Sequence, residues 1–145
     1  MTAGENLPGW KDKVLFTPGP LTTLQIIEEE GLVEQAAELG EMALTRLEDM
    51  KGRHPLIGDV RGRGCLLGIE LVSDRETRAP ACEAAEAVLY KALGRGLGFK
   101  TTMCNVLALA PPLITTTEQM HHALDIVEAC IAEVERDFSS SRSGG

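Results

Sequence analysis

A chain of 145 residues, 43% apolar and 25% charged, has the makeup of one soluble globular domain. Its formal net charge of −8 argues against a nucleic-acid partner, because such binding rests on clustered Lys and Arg. No apolar run approaches the ~18 residues of a membrane span, and no apolar leader opens the chain, so a cytoplasmic protein is expected.

Aromatic residues make up only 3% of the chain, so the core must be aliphatic. Met1 to Lys13 reads as a loosely held arm. Thr17-Pro18-Gly19-Pro20 reads as a turn that closes it, giving an N-terminal arm and turn over residues 1–20. The packed domain is expected over 21–138 and a flexible tail over 139–145.

A first helix is expected from Leu21 or Thr22 to a stop at Gly31. Glu28, Glu29 and Glu30 oppose its macrodipole, which implies that packing rather than propensity holds it. Leu32 to Lys51 is the clearest helix. Leu32, Ala36, Leu39, Ala43, Leu47 and Met50 form one stripe at the helical period. Gly40 interrupts this helix at a cost of about 1 kcal/mol relative to Ala, which points to an element packed close against it. Gly52 and Pro55 end it.

Gly58 to Val72 is the stretch around which the rest is organised. Its glycine-rich start, Gly58 to Gly64, reads as a charged turn. Cys65 to Val72 reads as a buried strand. Cys65, Leu67, Ile69 and Leu71 then form one apolar face. Leu66, Gly68, Glu70 and Val72 take the other, which suits a cleft, a larger domain or water. A helix over Ala81–Arg95 follows, with Ala85, Val88, Leu89 and Ala92 on one side. Strands are expected over Leu97–Thr102 and Val106–Ala110. Thr115 and Glu118 have capping-box spacing before a last helix striped by Met120, Leu124, Val127, Ile131 and Val134. The order implies an α/β, two-layer α+β fold. Its sheet would be mixed or antiparallel, of three to four strands, with helices on one face.

Few residues suggest chemistry. His121 and His122 point about a hundred degrees apart on a helix, so no metal face forms there. His54 suits a helix C-terminus. The run Gly58–Gly64 lacks the order and context of a dinucleotide loop. Arg61 and Arg63 offer forked donors to a carboxylate or phosphate. Cys65, Cys82, Cys104 and Cys130 lack zinc or redox spacing and read as free, mostly buried thiols. A Schiff-base lysine needs a buried, activated setting; Lys100 on a strand is the nearest candidate and a weak one.

From about Leu24 to Glu135, roughly three-quarters of its length, the chain resembles the C-terminal part of class III, fold type I aminotransferases. The matching pieces begin with Ile26-Ile27-Glu28-Glu29-Glu30-Gly31-Leu32 and the run from His54 to Gly64. Leu67-Gly68-Ile69-Glu70-Leu71-Val72, Asp74-Arg75-Glu76-Thr77 and Ala110-Pro111-Pro112-Leu113 complete them. The resemblance implies the small domain of a pyridoxal-phosphate enzyme, whose missing large domain carries the Schiff-base lysine and most cofactor contacts. It therefore implies amino transfer to a keto acid, no catalytic residue in this chain, and no cofactor bound by this chain alone. Arg61, Gly62 and Ala108 become the substrate-proximal residues. Many members place an arginine at the position of Ala108 to hold an α-carboxylate, so its absence points to an amine or ω-amino substrate. The segment Val14–Thr23 resembles the start of 2-aminoethylphosphonate–pyruvate transaminase. It also resembles a shortened form of the family's threonine loop, with Thr17 reaching the cofactor phosphate of a neighbouring subunit. The alternative is a stand-alone, non-enzymatic domain that self-associates or binds a partner chain.

Overall fold

The computed structural model describes residues Gly19–Arg142. The chain divides into two units, residues 1–33 and 34–145. In the first, helix α1 (Gly19–Glu29) starts on Gly19-Pro20, ahead of the expected Leu21 or Thr22. Proline suits a first helical turn, where its missing N–H is no loss. α1 buries none of its residues.

The second unit contains α2 (Leu32–Arg53, entering from the first), β1 (Ile57–Arg63), β2 (Leu66–Asp74) and β3 (Ala79–Pro80). They are followed by α3 (Cys82–Gly94), β4 (Lys100–Thr102), β5 (Val106–Leu109) and α4 (Thr117–Arg142). The sheet is antiparallel throughout, in the order β1-β2-β5-β4, with the two-residue β3 on the end of β2 as a fifth strand. No helix among the described residues is long and apolar enough to cross a membrane.

The glycine-rich run is a strand, not a turn. Asp59, Arg61 and Arg63 alternate with Val60 and Gly62 at the β period. The reversal is confined to Gly64-Cys65, where Gly64 has φ +53. β1 and β2 therefore form a hairpin, with Val60 opposite Ile69 and Gly62 opposite Leu67. α4 also differs from expectation. It runs on to Arg142, past the Ser139 at which the sequence suggests a tail.

The predicted stripes meet over one face of the sheet. Ala36, Leu39, Ala43, Leu47 and Met50 of α2 share one core with Leu67, Ile69 and Leu71 of β2. Ala85, Val88 and Ala92 of α3 and Met120, Leu124, Val127, Ile131 and Val134 of α4 close it, with Ala84 buried in place of the predicted Leu89, which is only half-buried. Burying each of the larger side chains stabilises the fold by about 1.5–3 kcal/mol. Ion pairs fix the helices to one another. Arg46 of α2 binds Asp125 of α4, and Arg95, just after α3, binds Glu133 of α4.

Several residues that carry the family resemblance do structural work here. Arg75 donates to the carbonyls of Lys51, His54 and Pro55, closing the C-terminal end of α2. Asp74 Oδ1 accepts from the backbone N–H of Glu76 and of Thr77, both at 2.8 Å. His54 has Glu135 Oε2 at 2.8 Å from Nδ1 and Glu128 Oε1 at 3.5 Å from Nε2, so its main partners lie on α4 rather than at the end of α2. The cap of α4 is shifted by one residue from the predicted pair. Thr116 Oγ1 accepts from Gln119 N at 3.2 Å, and Gln119 Oε1 accepts from Thr116 N at 3.0 Å.

Candidate functional site: the open face of the sheet

A four-strand sheet covered by helices on one face leaves the other face as a surface about 15 Å across. Antiparallel register sets what stands on it. Arg61 of β1, Gly68 of β2, Ala108 of β5 and Lys100 of β4 form one row. Asp59, Glu70, Val106 and Thr102 form the next. The inner face carries Val60, Ile69, Leu107 and Thr101 in one row, the first three buried.

The open face carries its charged cluster at the β1–β2 side, small or apolar residues (Gly68, Ala108, Val106) in the middle, and Lys100 and Thr102 on β4 at the far edge. Arg61 Nη1 donates to Glu70 Oε2 at 2.9 Å and to Asp59 Oδ2 at 3.1 Å. Arg78, held at φ 54, reaches the same Glu70 carboxylate at 3.3 Å. Lys51 Nζ lies 3.3 Å from Asp59 Oδ1. The Arg61 hydrogen bond, helped by Arg78, holds Glu70 below the usual carboxylate range against the opposing effect of burial. Burial pushes Asp59 up, but the bonds from Lys51 and Arg61 outweigh it, so Asp59 is also held low. The same carboxylates, Glu70 first, raise Arg61.

Arg61 is half-exposed and its described bonds all run through Nη1. A guanidinium has five N–H donors in a fixed fork. Its remaining edge is free, among the described residues, to meet a carboxylate or phosphate from a covering surface. Ala108 lies two strands away in the same row, with Gly68 between them. Gly62 lies off this row. It pairs with Leu67, and an added Cβ would meet Leu66 O at 2.5 Å and Leu67 Cδ2 at 2.8 Å. Gly62 thus serves the close approach of β1 to β2. Thr17 lies outside the described residues.

Glu70 stands on the face that alternation along β2 assigns to it, whereas Asp59, Arg78 and Lys51 are the members that sequence reasoning did not place here. The alternation Asp59-Val60-Arg61-Gly62-Arg63 was the available signal, since charges two apart share one strand face. Lys100 is exposed on β4. A cavity also opens elsewhere, between the start of α3 and the C-terminal half of α4, but it holds none of these charges.

The four cysteines are not all free. Cys82 and Cys104 form a disulfide, and Cys65 and Cys130 are free and buried. The pair stands 22 residues apart and is brought together by tertiary structure, so no short motif announces it.

The fold and its face are those of an antiparallel sheet backed by helices on one side and charged on the other. The family model for class III aminotransferases matches residues 20–131, and the chain belongs to that family. An (R)-1-hydroxy-2-aminoethylphosphonate ammonia-lyase of Vibrio splendidus is 43% identical over 118 residues, covering 81% of this chain and 25% of that protein. A taurine–pyruvate aminotransferase of Rhodobacter capsulatus is 41% identical over 129 residues, covering 79% and 27%. Among solved structures, a Bacillus anthracis aminotransferase superposes with a TM-score of 0.73 at 37% identity, covering 78% of this chain and 27% of that one. The chain spans about a quarter of the length of these relatives, so it is a partial domain of the family.

The family depends on pyridoxal phosphate. The described residues of this chain do not by themselves fit that cofactor. Its capture requires a desolvated amine, whereas Lys100 is exposed and Lys51 and Lys91 are paired with carboxylates. The cofactor's chemistry therefore has no footing on the described part of this chain alone.

Proposed function

We propose that this chain is the C-terminal small domain of a pyridoxal-phosphate-dependent aminotransferase, acting on an amine or ω-amino substrate and a keto acid. Its open sheet face is the surface that a cofactor-bearing large domain covers. The observation that carries this reading is the row Arg61–Gly68–Ala108, which places a half-free guanidinium beside two side chains too small to obstruct a covering domain. Arg61 and Ala108 are then the substrate-proximal residues, with Gly62 shaping the strand that presents Arg61. Thr17 is the residue for the cofactor phosphate of a neighbouring subunit.

Ala108 at the position where many members have arginine supports the substrate assignment. The names of the relatives include an aminotransferase of taurine, an ω-amino compound, and an ammonia-lyase of an aminophosphonate. In this reading the reaction type is decided by the large domain. The partner is that domain, supplied as a second chain, or a further copy of this chain within a homo-oligomer. The proposal includes a cytoplasmic setting, which the two free thiols suit and the disulfide does not.

The test is to mix the purified chain with pyridoxal phosphate, reduce with borohydride and measure mass. No adduct is expected on the chain alone. A stoichiometric adduct on Lys100 would overturn the reading. Light scattering then separates a monomer awaiting a large domain from a self-associated form.

A further inference from the structure

The four cysteines are of two kinds. Cys65 and Cys130 are free and buried, and burial pushes both thiols up. Thiols in that state are poor nucleophiles. Cys82 is half-buried and Cys104 exposed, and these two are bonded to each other with their Cα atoms 4.9 Å apart. The only bonded pair among the described residues is thus also the pair within reach of solvent.

The two ends of the bond differ in kind. Cys82 opens α3, whose N-cap is Ala81 and carries no side-chain cap bond. A thiolate in a first helical turn is stabilised by the helix dipole and the unpaired N–H groups there, although Glu83 in the same turn opposes part of that field. Cys104 lies in the β4–β5 turn, where Met103 has φ 50 and Cys104 has φ 62. Non-glycine residues hold such angles only when their surroundings enforce them. Two restraints act on this turn. One is Asn105, whose Nδ2 donates to Leu71 O at 2.9 Å and whose carbonyl accepts from Leu71 N at 2.8 Å. The other is the bond to Cys82, which ties the turn to α3.

We infer that Cys82 and Cys104 form a reversible thiol–disulfide site, exchanging with low-molecular-weight thiols and disulfides, and that its closed form orders the β4–β5 turn at the end of the open face. Closure begins when the Cys82 thiolate attacks one sulfur of a small disulfide and expels one small thiolate. The Cys104 thiolate then attacks Cys82 Sγ and expels the second. The two protein protons pass to the departing thiolates, the cysteines are oxidised, and the small disulfide is reduced to two thiols. Opening is the reverse. The site does not depend on which domain covers the sheet.

The experiment uses the full chain equilibrated in glutathione buffers of graded redox ratio, acid-quenched, alkylated and mapped by mass spectrometry. Cys82 and Cys104 are expected to gain label together as the buffer becomes reducing, with Cys65 and Cys130 labelled only after denaturation. Hydrogen exchange at Met103 to Val106 is expected to rise about tenfold or more in the reduced form. Cys82→Ser and Cys104→Ser should each show that faster exchange without reductant. Closing a loop of this length shifts the unfolding equilibrium by roughly two orders of magnitude, so the urea midpoint should fall on reduction. The inference is overturned if Cys82 and Cys104 stay unpaired in the most oxidising buffer. Identical turn exchange in the two forms also overturns it.

Discussion

Gly40 gives the sharpest test of how α2 meets the sheet. A Cβ built there would lie 2.1 Å from the Gly64 carbonyl oxygen, 2.5 Å from its carbon and 2.7 Å from its Cα. All three atoms are backbone, in a turn whose φ of +53 leaves little freedom. Restoring ordinary contact, at 3.4 Å or more, would move α2 and the hairpin apart by more than 1 Å. That displacement would drag Ala36, Leu39, Ala43 and Leu47 from the core and stretch the 3.7 Å contact of Cys65 Sγ with Ala36 O. Overpacking costs about 1–3 kcal/mol, and a rigid backbone obstacle puts this case at the upper end. Helix propensity returns about 1 kcal/mol for Gly→Ala. Gly40→Ala should therefore destabilise by about 2 kcal/mol, roughly thirtyfold in the unfolding constant. In urea the midpoint should drop by about 1 M with an unchanged slope. Gly52→Ala is the control, since nothing lies within 4 Å of a Cβ there, and it should stabilise the same helix slightly. A Gly40→Ala protein as stable as the parent, with Gly52→Ala behaving as stated, would refute the close contact of α2 with the hairpin turn.

Three further outcomes follow from individual bonds. Asn105 is buried and its amide donates to Leu71 O, so Asn105→Ala should cost about 1–3 kcal/mol; a thermal midpoint within error of the parent would count against that bond. Thr116→Ala should cost about 1 kcal/mol and Thr115→Ala almost nothing, because Thr116 is the residue bonded to Gln119 N. Equal losses in thermal unfolding would return the cap to the predicted pair. Glu70 and Asp59 are both held low in the folded state, so the unfolded chain takes up protons first as acid is added. Their contribution is complete above the ordinary carboxylate range and fades as the pH falls through their lowered values. Arg61→Ala should flatten the loss of stability below about pH 4.5, read from urea midpoints at several pH values. An unchanged acid slope would show that Arg61 does not hold these carboxylates.

The fold was legible wherever one period dominated a long segment. The stripes of α2 and α4 predict the buried residues because a helix of that length keeps one face inward. Reading failed where two physical signals competed. In Gly58 to Gly64, glycine content suggested a turn, while charges at alternate positions marked a strand exposed on one side. Hairpin pairing with Leu66–Leu71 decided in favour of the strand, since it satisfies backbone groups that an isolated turn would leave to water. Thr115 and Thr116 were both competent caps three residues before a residue able to reach back. Sequence alone does not say which backbone N–H the turn after Pro112 presents.

The site was legible by face but not by neighbour. Alternation along β2 is enough to send Gly68 and Glu70 away from the helices, because a strand reverses its side chains at each residue. It says nothing about what stands beside them. Arg61 and Ala108 lie 47 positions apart, and only the joint register of β1 with β2 and β2 with β5 sets them in one row. A slip of one residue in either pairing would turn one of them to the other face. The register is held by the inner face, where Val60, Ile69 and Leu107 are buried in one row and a slip would expose them. The same aliphatic core that makes the domain stable thus sets Arg61 in one row with Ala108, across Gly68. Glu70→Gln leaves that inner row untouched, so it is expected to keep the fold, with Asp59 still on Arg61 Nη1 and only the acid-side stability that the Glu70 charge contributes lost, as urea midpoints at several pH values would read.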